Sequence, residues 1–216
     1  MNWAEQIDGY CERMDLSYWS EPFNALTNAA FLIAALILWR RTAGLPLARA
    51  LCVILGLIGI GSYLFHTLAT VWAATADVLP ILVFGLLYLF AANRDYLGWP
   101  AWAAVAAAAA FLPFAAGVGV VLRDVPFLGI SSVYWAFPIL FFTYGAVLWR
   151  RSPETGRGLL IAGAILSASI SARSTDEMLC ETIPMGTHFL WHILNAVVLG
   201  WVIEVYRRHK GRYSTT

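Results

Sequence analysis

Along the chain, long apolar runs are separated by short polar ones, and within each run the apolar residues continue around every face of a helix instead of recurring with a period. Seven runs, roughly 22–39, 47–69, 71–92, 99–122, 126–149, 158–174 and 184–206, reach the length of about 20 residues that a helix needs to cross a bilayer core. A helix that is apolar all round belongs in lipid or in a protein core. The pattern therefore predicts an all-α integral membrane protein, a bundle of seven transmembrane helices. These runs leave no room for a second domain. The expected organisation is one domain over 1–216, with an acidic segment at 1–21 ahead of the first span and a basic tail at 207–216 after the last. The opening stretch "MNWAEQIDGYCERMDLSYWSEPF" has no basic region followed by an apolar one, so it is expected to stay on the mature protein. An alanine-rich run at 103–110 reads as a surface for close helix packing.

Composition agrees. The 216 residues are 60% hydrophobic and 12% charged, with mean hydropathy +0.69, which excludes a soluble domain of this size. The formal net charge of +1 conceals an asymmetry. If the spans alternate, Arg40, Arg41, Arg49, Arg94, Arg150, Arg151, Arg157, Arg207, Arg208, Lys210 and Arg212 share one side, and only Arg13, Arg123 and Arg173 fall on the other. The positive-inside rule then puts the C-terminus in the cytoplasm and the N-terminus outside, in periplasm, lumen or extracellular space. The outer side is acidic, carrying Glu5, Asp8, Glu12, Asp15 and Glu21 before the first span and Asp176, Glu177 and Glu181 before the last. Nothing in this balance suggests nucleic acid, and the short cytoplasmic loops and tail offer no evident protein partner. The only lysine, Lys210, lies beyond the last predicted span, which excludes a retinal Schiff base.

Titratable side chains inside a span cost on the order of 3 kcal/mol, so each is a functional candidate. They are His66 in "GSYLFHTLAT", Asp77 in "WAATADVLP", and His188 and His192 in "THFLWHILNA". All four fall in the outer third of their spans. Glu204, near the inner end of the seventh span, can reach the interface, and His209 in the basic tail is expected to be solvated. His188 and His192 are one helical turn apart on one face, and His66 can supply a third nitrogen. Three histidines with one open position is how catalytic zinc is held. Ser62 lies one turn before His66 on the same face. For any single histidine, a hydrogen bond to a neighbouring helix is the simpler reading, but three at one depth point to a metal. Among the cysteines, Cys11 and Cys180 share the outer side, whereas Cys52 sits inside the second span. The residues leave open a Cys11–Cys180 bridge or three free thiols.

The ordered set of "SYLFH", Asp77 eleven residues later and HxxxH in the last span resembles the superfamily of seven-span membrane hydrolases that contains alkaline ceramidases and adiponectin-receptor-like proteins. The N-terminal "IDGYCERMDLSYWSEPFNALTN" and "TDEMLCETIP" before the last span resemble the ceramidase branch, as does the outward N-terminus. The likeness runs from residue 7 to about residue 206, with the fourth to sixth spans contributing little beyond hydropathy. It implies that His66, His188 and His192 are zinc ligands, that Ser62 is the serine beside the metal, and that Asp77 is the aspartate that orients the nucleophilic water. It further implies a Cys11–Cys180 disulfide, and Asp8, Glu12 and Glu21 as ligands of a structural calcium. Met14 stands where the family has an asparagine ligand, which makes Asp15 the substitute.

The expected activity is zinc-dependent hydrolysis of the amide of ceramide or a related N-acyl membrane lipid, releasing a fatty acid and a sphingoid base. Asp77 would shuttle the proton and Ser62 would donate to the oxyanion. The plainer alternatives are that Asp77 orients a histidine and that Ser62 packs two helices. The competing function is a metal-containing receptor or sensor of the adiponectin-receptor-like type.

Overall fold

The computed structural model describes residues 2–7 and 9–213. Helices α1 (Pro22–Thr27) and α2 (Ala29–Arg41) meet at Asn28 and form one span. The other spans are α3 (Pro46–Leu68), α4 (Val71–Ala91, continued by a π-helical turn over Ala92–Tyr96), and α5 (Ala101–Leu122). They continue with α6 (Ala136–Leu148, preceded by a 3₁₀ segment over Gly129–Trp135), α7 (Pro153–Thr175) and α8 (His188–Tyr213). Each of the seven is long and apolar enough to cross a membrane, and no strand occurs among the described residues. The chain is an all-α seven-helix bundle and a multi-pass integral membrane protein.

Proline sets several starts. Pro22, Pro46 and Pro153 occupy first-turn positions, where the missing N–H costs nothing. The sixth span accordingly begins at Pro153, earlier than hydropathy alone predicts, because the polar "PETGR" already forms its first turn. The seventh begins later, at His188 instead of 184, and runs on through the basic tail. Residues 184–187 stay out of the helix because Gly186 takes φ +65° and places the Asp176 carboxylate over the helix start. That carboxylate accepts the backbone N–H groups of Thr187 (2.6 Å) and His188 (2.8 Å), satisfying donors that the first turn leaves open.

Neighbouring spans run antiparallel, so the last turn of α3, the first turns of α4 and the start of α8 share one end of the bundle. The N-terminal segment lies across that end. Its backbone pairs with the α3–α4 turn through Ile7 N–H to the Ala69 carbonyl (2.7 Å) and Val71 N–H to the Glu5 carbonyl (3.0 Å). A Cys11–Cys180 disulfide, Cα atoms 5.1 Å apart, ties it to the loop before α8, and Cys52 is a buried free thiol.

At the opposite end the charges are more buried than the sequence suggests. Glu204 does not reach the interface alone but is buried against Arg41 (3.0 Å), Arg207 (2.8 Å) and Arg208 (2.7 Å). His209 is not solvated either. Continuation of α8 buries it, with Nδ1 against the Thr155 hydroxyl (2.9 Å) and Nε2 against the Asp95 carbonyl (3.1 Å).

Candidate metal centre

His66 is the third residue from the C-terminal end of α3, and His188 and His192 occupy the first and second turns of α8. Each is almost wholly buried, with 1–2% of its surface exposed. One ring nitrogen from each lies within 4.8 Å of the others, a limit that contains the roughly 3.3 Å spacing of nitrogens around a tetrahedral zinc. Among the described residues this is the one group of three histidines, cysteines or acids whose ligand atoms converge.

In His66 and His192 the second nitrogen is engaged, which orients the first. The Glu21 carboxylate receives His66 Nδ1 at 2.5 Å, so the proton sits on Nδ1 and Nε2 presents its lone pair. Thr27 donates its hydroxyl to the carbonyls of Phe23 (2.8 Å) and Asn24 (3.1 Å), so its oxygen accepts from His192 Nδ1 at 3.0 Å, leaving His192 Nε2 as the acceptor. His66 Nε2 and His188 Nδ1 are buried with no hydrogen-bond partner in the protein. Two orphaned imidazole nitrogens in one cluster are costly to bury unless something satisfies them. Imidazoles held by outer partners, as His66 and His192 are, beside buried nitrogens that lack a partner are what a zinc site uses, so the residues fit the ion.

The outer partners form a buried chain. Arg13 Nε donates to Glu21 Oε1 at 2.6 Å, and its Nη2 donates to the His66 carbonyl at 3.1 Å. Burial works against the Glu21 carboxylate, but the bonds from His66 and Asn24 and the Arg13 charge outweigh it and hold its pKa below the ordinary range. Tyr10 stacks on His188 with ring centroids 3.7 Å apart. Burial pushes its hydroxyl up to about 12, against the opposing charge of Arg173.

Ser62 and Asp77 meet beside the histidines. Ser62 Oγ lies 3.5 Å from His192 Nε2, and its side chain interacts with Asp77 across the α3–α4 contact. Gly61 makes that contact possible. A Cβ there would collide with the Ala76 carbonyl and come within 3.2 Å of the Asp77 nitrogen, so only glycine lets the two backbones approach this closely. A polar cavity of about 320 Å³ opens onto Tyr10, Asp77, Arg173 and His188. Its walls share Ile81, Tyr134 and Trp191 with an apolar cleft that continues into the bundle.

The residues expected to hold calcium have partners within the protein where they are described. Asp8 lies outside the described residues. Glu12 caps α1, its two oxygens receiving the N–H groups of Phe23 (2.6 Å) and Asn24 (2.8 Å). Burial raises its pKa against those two bonds. Asp15 is exposed and bonds the Ser17 N–H at 2.8 Å. Glu21 is taken by Arg13 and His66. Calcium needs six to eight oxygens around one point; among the described residues, which do not include Asp8, the ligand atoms of Glu12, Asp15 and Glu21 do not converge as a group of three.

Sequence reasoning passed over Arg13, Thr27 and Asp176, which position the histidines. Arg13 carried a usable signal, as a lone cation within an acidic run. Thr27 carried none, since one threonine in an apolar span is ordinary. Comparison of the sequence with models of known protein families and with curated proteins finds no match.

Proposed function

We propose that the protein is a zinc-dependent membrane hydrolase that cleaves the amide of a ceramide-like N-acyl lipid, with its active site toward the outer side of the membrane. The observation that carries this reading is the convergence of His66, His188 and His192, two of them with orphaned nitrogens, beside the Ser62–Asp77 pair inside a membrane-spanning bundle. The three histidines would hold the ion. Zinc in such a site supplies a Lewis acid and lowers the pKa of its water to about 7.

The chain's own residues do the rest. Asp77 accepts the proton of the attacking water and returns it to the departing amine nitrogen, converting a poor leaving group into a neutral amine. The Ser62 hydroxyl donates to the oxygen on which charge develops. Glu21 and Thr27 keep His66 and His192 in the tautomers that face the metal, and Asp176 fixes the helix start that carries His188. The polar cavity of about 320 Å³ would admit the amide, and the narrow cleft adjoining it is lined by apolar side chains. A water-soluble amide would gain nothing from that cleft or from a site within the membrane, whereas a membrane lipid is delivered to both. The charge bias, with eleven of 14 cations at the other end, supports the outward placement.

The test is mass spectrometry of lipid extracts and of synthetic ceramide incubated with pure protein. Free fatty acid and free amine should appear, should vanish with a chelator and should return with zinc. Asp77→Asn should lower the rate about 100- to 10,000-fold with zinc retained. Unchanged lipids in every arm refute the reading.

A further inference from the structure

We propose that the groove between α7 and α8 at the basic end of the bundle seats an anionic glycerophospholipid of the adjoining leaflet. Its phosphate would lie against Arg157, Arg208 and Arg212, and one acyl chain along Ile161, Trp201 and Val205. This site is at the far end of the bundle from the histidines and does not depend on their function.

The groove is a built cavity of about 310 Å³, and all six of these side chains line it. Gly158 brings the helices together, since a Cβ there would approach the Val205 methyls to 2.6 Å. The Trp201 indole N–H donates to the Gly158 carbonyl at 2.8 Å and pins the wall. Polarity changes along its length. Helix α7 runs inward from Arg157 to Ile161, and α8 runs outward from Trp201 and Val205 to Arg208 and Arg212. The deep part is therefore apolar and the shallow part cationic, the same order of polarity as a phospholipid. Ile161 is 46% exposed and belongs to the span Pro153–Thr175, so the groove is open on a face that a spanning helix turns to lipid.

Charge selects the headgroup. Three guanidinium groups line the cavity with one carboxylate, Glu154, which pairs with Arg212 at 2.5 Å. Arg208 bonds Glu204 at 2.7 Å. Among the described residues Arg157 has no carboxylate partner and lies over the Trp149 ring, 5.4 Å from its centroid. Guanidinium matches phosphate oxygens in bidentate geometry, and basic clefts between transmembrane helices attract anionic lipid. A free phosphate would leave the apolar floor unused, and a zwitterionic headgroup would place its ammonium among guanidiniums.

The test uses the full chain, delipidated in neutral detergent. Native mass spectrometry is recorded with dioleoyl phosphatidylglycerol, with dioleoyl phosphatidylcholine, or with sn-glycerol 3-phosphate. Phosphatidylglycerol adducts should survive activation energies that strip phosphatidylcholine, and glycerol phosphate should not bind. Arg157→Gln, which breaks no ion pair, should weaken phosphatidylglycerol retention about tenfold. Arg150→Gln with Arg151→Gln removes charge at the same end but outside the groove and should retain it. Equal retention of the two lipids, parental retention in Arg157→Gln, an equal loss in the Arg150/Arg151 variant, or binding of glycerol phosphate alone each overturns the proposal.

Discussion

Replacing Glu21 with Gln changes one atom and removes the charge from a buried chain of three residues. Arg13 and Glu21 side chains are 2% and 3% exposed and 2.6 Å apart, so the substitution leaves a guanidinium buried without an anion. Breaking such a pair costs about 3–5 kcal/mol, far more than the same change would cost at the surface. The second consequence falls on the metal. His66 Nδ1 loses a carboxylate acceptor at 2.5 Å, which weakens the ring as a donor and loosens its tautomer. Loss of an outer partner of this kind weakens metal affinity about 10- to 100-fold. Competition with a chromophoric chelator reads the zinc affinity, and thermal unfolding of chelated protein reads stability separately. Had Glu21 served only calcium, the variant would keep parental zinc affinity and lose a calcium-dependent stabilisation. Parental zinc affinity and parental stability in Glu21→Gln refute the Arg13–Glu21–His66 argument.

Two further changes probe the outer segment. Cys11→Ser releases it from the loop before α8 and should lower thermal stability by roughly 2–4 kcal/mol. In the parent, maleimide should label Cys52 on denaturation without reductant, and Cys11 and Cys180 only after reduction; labelling of all three without reductant refutes the bridge. Glu12 is held above its ordinary carboxyl range by burial, so protonation is favoured in the folded state. Its contribution to stability is complete below the unfolded value of about 4.5 and declines as pH rises through the higher folded value. In chelated protein, Glu12→Gln should remove that decline, and an unchanged pH profile of unfolding contradicts the assignment.

Hydropathy made the seven spans legible because length and apolarity are bulk properties that no single contact alters. The limits of two spans shifted for local reasons. Pro153 starts a helix from polar residues, and the αL Gly186 with the Asp176 carboxylate delays the last one to His188. The histidine trio was legible because imidazoles are expensive in a span, and spacing plus span-to-span alternation of helix direction put three at one depth. The roles within the acidic segment were not legible, for the opposite reason. Composition marks Glu12 and Glu21 as carboxylates, but only the fold shows that one caps α1 and the other faces Arg13 and His66. His209 was misplaced because a basic tail looks solvated until the helix is seen to continue through it.

The central claim is that three buried imidazoles hold one zinc. Elemental analysis of the purified protein, beside a His192→Ala variant shown to be folded by its helical circular dichroism, tests it most directly. The account predicts about one zinc per chain in the parent and almost none in the variant, since two imidazoles leave the coordination incomplete. A parent without zinc, or a variant with a full complement, contradicts it.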